Sequence, residues 1–259
     1  MKLLNHDIYK HPTSTHWVVF LHGAGGSSKT WDRQLTDFKA QFNVLNMDLR
    51  DHGNSKNIIP EYPKYNLTIV IQDILNLLDH LGIDKASFIS LSMGSFLMQS
   101  LALQRPQLIE KCILAGAVFA GTWQLRWFTR IALIFNQLFT YQQMYTIFSW
   151  ILMPRKNHQL ARRLYKIQAH KLSPEEYLKW VALYDDFFST LDQFRNWKVS
   201  FRTLVIMGDQ DYVFATGAKR FEKIQPKVTL KIIPNAGHIC NIDQPEIFNT
   251  TAIEFFKEH

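Results

Sequence analysis

The sequence predicts an α/β fold: a mostly parallel central sheet of about seven to eight strands with helices on both faces, and one helical insertion. Three observations carry this. Short apolar, β-tolerant runs alternate with amphipathic helical stretches over most of the 259 residues. The runs end in short loops rich in glycine and polar residues. From about residue 121 to residue 197 the alternation stops and helical signals dominate. The expected organisation is therefore a core domain formed by 1–120 and 198–259, with a helical cap inserted at 121–197.

The elements follow in order. Leu3 to Tyr9 reads as an edge strand, followed by a turn at His11-Pro12-Thr13-Ser14. Trp17 to Leu21 is uniformly apolar, as a strand buried on both faces should be. It runs into His22-Gly23-Ala24-Gly25-Gly26, whose glycines let the backbone turn sharply. Ser27 or Ser28 can cap the helix carrying Trp31, Leu35 and Phe38. Phe42 to Met47 is the next strand, and Asp48 to Ser55 the loop after it. Asn66 caps a helix with apolar residues at Leu67, Ile71, Ile74, Leu75, Leu78 and Leu81, closed by Gly82. Lys85 to Ile89 is a buried strand, Ser95 to Gln104 a helix that stops before Pro106, and Lys111 to Val118 another strand. Pro154 and Ser173-Pro174 divide the insertion into several helices. Thr203 to Met207 and Val228 to Ile233 are strands flanking a helix over Thr216 to Ile224. Asp243, with Glu246 three residues on, fits a capping box for the C-terminal helix.

Between the strand at Lys85 and the helix at Ser95 stands Ser90-Leu91-Ser92-Met93-Gly94-Ser95. Small residues at Ser90 and Gly94 permit a strand–helix turn tight enough to lift the Ser92 hydroxyl clear of the backbone. The helix N-terminus that follows favours developing negative charge. Ligands of parallel sheets sit beyond the carboxyl ends of the strands. The Ser92 turn, the His22 loop, the loop at Gly208-Asp209-Gln210-Asp211 and the loop at Gly237-His238 all fall there. A serine hydroxyl needs a base, and the base needs a group that fixes its tautomer. His238 is the candidate base and Asp211 the candidate acid. Asp209 is the rival, better suited to supporting its loop. The N–H groups of Ala24 and Met93 are candidate oxyanion donors. Asp185, Asp186 and Asp192, in or near the insertion, suit a solvated helix face better.

Composition narrows the alternatives. The formal net charge is +7, without a Lys/Arg-rich arm of the kind that binds nucleic acid. No run approaches the ~18 apolar residues of a membrane span, and Met1 to Asp7 lacks the apolar core of a signal peptide. The two cysteines, Cys112 and Cys240, read as buried free thiols, which points to the cytoplasm. The histidines show no metal-ligand spacing, so neither a metal nor a cofactor is expected.

The His22-to-Gly26 loop, Asp48-Leu49-Arg50-Asp51-His52-Gly53-Asn54-Ser55, Leu91-Ser92-Met93-Gly94, Gly208-Asp209-Gln210-Asp211 and Gly237-His238 together resemble the α/β-hydrolase fold superfamily, in the group related to bacterial esterases and the menaquinone-pathway lyase. The resemblance spans nearly the whole chain. It implies a Ser92/Asp211/His238 triad, an oxyanion hole at Ala24 and Met93, and a helical cap between the sixth and seventh strands. Three features depart from the pattern: Ser90 replaces the usual glycine, Asp51 interrupts the usual Gly-His-Gly, and the N-terminal segment is short for eight strands.

The expected activity is hydrolysis of a carboxylic ester or thioester of a small or acyl-chain substrate through an acyl-enzyme on Ser92. A lyase or C–C hydrolase acting on an anionic metabolite, and a ligand-sensing regulator that keeps the triad, are the alternatives. His22, Gly23, Trp123 and Trp127 are candidate substrate contacts. Between 121 and 180 there are nine Lys/Arg and two acids, and aromatic residues crowd the first half. Most of those aromatics are expected in the cap's own core and its seam with the main domain. The basic, aromatic cap also offers peripheral membrane contact, and the chain is expected to be a monomer or homodimer.

Overall fold

A computed structural model describes residues 2–56, 65–119, 123–194 and 198–258. Seven strands lie among them: β1 (His6–Tyr9), β2 (Trp17–Leu21), β3 (Asn43–Met47), β4 (Ala86–Leu91), β5 (Ile109–Ala115), β6 (Arg202–Gly208) and β7 (Val228–Ile233). They form one sheet in the order β1-β3-β2-β4-β5-β6-β7. Only the β1–β3 pairing is antiparallel. The chain steps from β2 to β3 on one side and returns to β4 on the other. The loops after β2 and β4 therefore flank a switch point, where such sheets open a crevice.

Alternate residues of each strand feed the two faces. Val18 and Phe20 enter one core with Trp31, Phe38 and Phe248. Val19 and Leu21 enter the other with Ile71, Ile74, Phe96 and Leu101. Phe20 is fully buried, its ring centroid 4.9 Å from Trp31 and 5.2 Å from Phe38. Truncating such a residue to alanine costs about 3–5 kcal/mol.

The helices of the first half are α1 (Asp32–Lys39), α2 (Leu67–His80) and α3 (Met93–Gln104). Ser27 caps the 3-10 turn that leads into α1, and Asn66 caps α2 by accepting the Ile69 N–H at 3.0 Å. Helix α3 begins two residues before the expected Ser95, directly after Ser92. Strand β5 ends at Ala115, short of the expected Val118, because Gly116 turns the chain out of the sheet at φ 51°.

Between β5 and β6 stand α4 (Trp123–Phe135), α5 (Tyr141–Leu152), α6 (Gln159–Ala169), α7 (Pro174–Ala182) and α8 (Tyr184–Phe194). The segment follows the fifth strand rather than the sixth, because one strand fewer precedes it. Its expected boundaries, at 120/121 and 197/198, adjoin residues outside the described ones. The breaks at Pro154 and Ser173-Pro174 occur as expected, with Ser173 accepting the Glu176 N–H at 3.1 Å. The segment's own core is small: Tyr145, Ala169, Leu172 and Tyr177. Of the aromatics expected to be internal, Trp127, Phe135, Phe139 and Trp150 are exposed. Asp186 accepts the Leu67 N–H at 3.1 Å and so helps cap α2 rather than facing solvent.

The chain closes with α9 (Ala215–Ile224), the short α10 (Cys240–Asp243) and α11 (Pro245–Lys257). The expected capping box at Asp243 does not form. Pro245 opens α11 behind Gln244, and the Asp243 carboxylate turns inward to accept the Gly237 N–H at 2.9 Å.

Candidate active site

Ser92 joins β4 to α3 with φ 52° and ψ −117°. A non-glycine residue there is strained by about 1–3 kcal/mol and persists only where its neighbours fix it. Here the Ser92 N–H donates to the Ala115 carbonyl at 2.8 Å, and the Ser92 carbonyl accepts the Ser95 N–H at 2.9 Å. A Cβ on Gly94 would lie 2.6 Å from the Leu21 and His22 carbonyl oxygens, so the turn admits only glycine there. Ser90 is tolerated because its buried hydroxyl donates to the Ile113 carbonyl at 3.1 Å.

The loop after β7 brings His238 to this turn. Its Nε2 lies 2.9 Å from Ser92 Oγ and its Nδ1 2.8 Å from Asp211 Oδ2. Asp211 is buried, and its Oδ1 accepts the N–H groups of Val213 at 3.3 Å and Phe214 at 3.1 Å. An ionised carboxylate accepts only, so Nδ1 carries the proton and Nε2 is left to accept from Ser92. The Phe214 ring flanks the imidazole at 5.0 Å. Asp209 Oδ1 accepts the Ala236 N–H at 3.3 Å and braces the loop, while Asp211 bonds His238.

The loop after β2 carries Gly23 and Ala24 to the wall of a cavity of about 380 Å³ that also exposes Ser92 and His238. Met93 is the first residue of α3, where a helix leaves its N–H without an intrahelical partner. His22 does not reach this cavity. It is fully buried, donates from Nδ1 to the Gly23 carbonyl at 2.8 Å, and accepts the Leu49 N–H on Nε2 at 3.0 Å. Burial and the neighbouring His52 hold its pKa down to about 3. Its two bonds brace the loop from within, away from the cavity wall where a substrate contact was expected. His52 repeats the device: Nε2 accepts the Gly25 N–H at 3.1 Å, Nδ1 donates to the Arg50 carbonyl at 2.9 Å, and burial lowers its pKa. Asp48 ties the next loop in. Burial pushes its carboxyl up, but the hydrogen bonds from the Asn54 and Ser28 N–H groups prevail and its pKa falls. Asp51, which stands in the place of the usual glycine, adopts φ 63°.

The opposite wall comes from the segment between β5 and β6: Leu152 of α5 and Leu164, Tyr165 and Gln168 of α6. Burial raises the Tyr165 pKa well above its ordinary value, so this phenol stays protonated. The exposed cations Lys29, Arg33 and Lys171 line the solvent side beside a single acid, Asp32. Lys29 and Asp32 approach to 3.9 Å. Trp127 is exposed and absent from the cavity wall, and the Trp123 side chain lies outside the described residues. Among the described residues, no group of three His, Cys, Asp or Glu side chains could hold a metal.

Three contributors are not evident from the sequence. Gly116 packs against His238, where a Cβ would sit 2.6 Å from the His238 carbonyl oxygen. Tyr145 of α5 lies against Gly25, where a Cβ would meet its ring at 2.6 Å. His158, fully buried between α5 and α6, accepts the Arg155 N–H on Nδ1 at 3.3 Å and donates from Nε2 to Gln210 Oε1 at 2.8 Å. Asn157 bonds the same Gln210 oxygen at 3.0 Å and the Asn235 carbonyl at 2.9 Å. A Cβ on Gly237 would strike the His158 ring at 2.9 Å. The only sequence signal is the small residue beside each site: Gly25, Gly116 and Gly237.

The model of the alpha/beta hydrolase fold family matches residues 16–245. Among curated proteins, the chain is 26% identical to 3-oxoadipate enol-lactonase 2 of Acinetobacter baylyi, covering 90% of this chain and 85% of that one. It is 25% identical to epoxide hydrolase 4 of Homo sapiens, over 93% of this chain and 72% of the relative. Among solved structures, a hydrolase from Pseudomonas aeruginosa superposes with a TM-score of 0.80 at 24% identity, covering 98% of this chain and 94% of that one.

Proposed function

This chain belongs to the alpha/beta hydrolase fold family, and we propose that within it the protein is a serine hydrolase cleaving a carboxylic ester or thioester through an acyl-enzyme on Ser92. The observation that carries this reading is the unbroken hydrogen-bond chain from Ser92 Oγ through His238 to Asp211, standing on a strained turn at the wall of a cavity.

Ser92 Oγ attacks the acyl carbon while its proton passes to His238 Nε2. The positive charge that develops on the imidazole faces the Asp211 carboxylate. The tetrahedral oxyanion lies against the N–H groups of Ala24 and Met93, at the positive end of α3. Collapse breaks the bond to the leaving group, which takes the proton from His238 as an alcohol or thiol. A water then gives its proton to His238 and attacks the acyl-enzyme, and the second collapse returns that proton to Ser92 Oγ. The helices between β5 and β6 act as a cap over the acyl group.

Substrate selection follows from the cavity. Its volume suits a compact ester, its inner walls are apolar, and Lys29, Arg33 and Lys171 outnumber Asp32 at the solvent side. Among compact esters, those with a carboxylate remote from the scissile bond are the better substrates. Incubation with a fluorophosphonate probe, followed by peptide mapping, should give one adduct on Ser92 that is absent from Ser92→Ala. A folded protein that takes no adduct and hydrolyses no p-nitrophenyl ester defeats the catalytic assignment. Equal rates on neutral and ω-carboxylate esters, indifferent to salt, defeat only the charge preference.

A further inference from the structure

We propose that the outer face of α4, with the turn that follows it, docks on an anionic lipid surface. Trp127, Ile131 and Ile134 recur at i, i+4 and i+7, the spacing of one helical face, and Leu138 follows in the turn after α4. Trp127 is 58%, Ile134 59% and Leu138 72% exposed. Side chains of this size exposed singly are ordinary, but a continuous row of them marks a binding surface.

Charge identifies the occupant. Residues 121–174 contain eight Lys/Arg and not one Asp or Glu. A second copy docked face to face would set two such segments against each other with no acid in either to pair the cations. An anionic bilayer meets both features at once: its acyl boundary takes the apolar row and its headgroups take the exposed Arg130 of α4. Among the described residues, no helix is long and apolar enough to cross a membrane, so the contact is in the plane of the surface.

The test is sedimentation of the full chain with vesicles of phosphatidylcholine alone or mixed with phosphatidylglycerol. Binding to the mixed vesicles should exceed binding to phosphatidylcholine and weaken with salt. The Ile134→Ser/Leu138→Ser variant should lose about tenfold or more in partitioning, and Arg130→Gln about fivefold. Ser92→Ala should bind as the parent does, and the apolar-face variant should hydrolyse a soluble ester at the parent rate, which separates this surface from the catalytic reading. No binding to mixed vesicles, or equal binding by parent and apolar-face variant, overturns the proposal. A dimer in vesicle-free ultracentrifugation that the Ile134→Ser/Leu138→Ser variant dissolves, without vesicle binding by the parent, makes a second copy the occupant and overturns it too.

Discussion

Asp211→Asn is the sharpest perturbation of the candidate site, because the surroundings dictate how the new amide must sit. Oδ1 of Asp211 accepts two backbone N–H groups, from Val213 and Phe214, while Oδ2 faces His238 Nδ1 at 2.8 Å. An asparagine placed there keeps its carbonyl oxygen on the two N–H donors, since turning it round would set its NH2 against them. The amide NH2 then points at His238 Nδ1, which must become an acceptor. The ring proton moves to Nε2, where it faces Ser92 Oγ 2.9 Å away. The base has become a donor, although side-chain volume is almost unchanged. The equivalent inversion in a Ser-His-Asp site costs about 10⁴ in kcat, or about 5.5 kcal/mol in the barrier. Steady-state and burst kinetics with p-nitrophenyl butyrate should show that loss with KM little altered and thermal stability retained. Asp209→Asn provides the contrast. Among the described residues its carboxylate accepts only the Ala236 N–H, at 3.3 Å, a bond the amide oxygen can keep, so kcat should fall by less than about tenfold. If Asp211→Asn retained kcat within tenfold of the parent, or if Asp209→Asn fell further than Asp211→Asn, the tautomer argument would be refuted.

Two further outcomes are expected. Gly116→Ala places a Cβ at φ 51° and 2.6 Å from the His238 carbonyl oxygen. It should lower kcat about 100-fold by displacing the imidazole, and a variant that only melts earlier while keeping kcat within about twofold contradicts that coupling. Acid stability should reflect His22, held down to about 3 when folded against an ordinary 6.5. The unfolded chain binds the extra proton between those values. The contribution is therefore fully present above about pH 6.5 and lost as pH falls toward about pH 3, with a limiting slope of about 1.4 kcal/mol per pH unit. His22→Gln, which offers a donor and an acceptor without titrating, should show a shallower decline of urea midpoints through this window; parallel declines for parent and variant would rule His22 out as a source.

The elements that proved legible are those fixed by local backbone constraints. Ser90-Leu91-Ser92-Met93-Gly94 announces its turn because only small residues fit around it, and the Gly94 neighbours at 2.6 Å bear that out geometrically. Short apolar runs located the seven strands of the described residues to within a few residues, because β2 through β6 face a core on each side. What stayed hidden depends on partners distant in sequence. Asp243 matched a cap motif, yet the Gly237 N–H, six residues back, claims its carboxylate. Asp186 serves α2 across 119 residues. The aromatics of the insertion could be counted, but which way each points depends on helix packing: Tyr145 turns inward onto Gly25, and Trp127 outward. His22 sits in a loop that serves the cavity, and its position alone gave no sign that both ring nitrogens are taken by backbone.

The polar knot of His158, Asn157 and Gln210 has a consequence for protein engineering. Chimeras that exchange the variable helices of one family member for those of another are a direct way to graft a new specificity. Here the helices are keyed to the scaffold from beneath, since the His158 ring fills the space over Gly237 and Asn157 spans Gln210 and Asn235. A donor segment lacking both side chains would leave the Gln210 amide oxygen unpaired and the turn ahead of His238 without its packing partner. Recombination breakpoints are therefore better placed to keep 155–162 with the scaffold, grafting α4 and α5 in one piece and the rest of α6 onward in another.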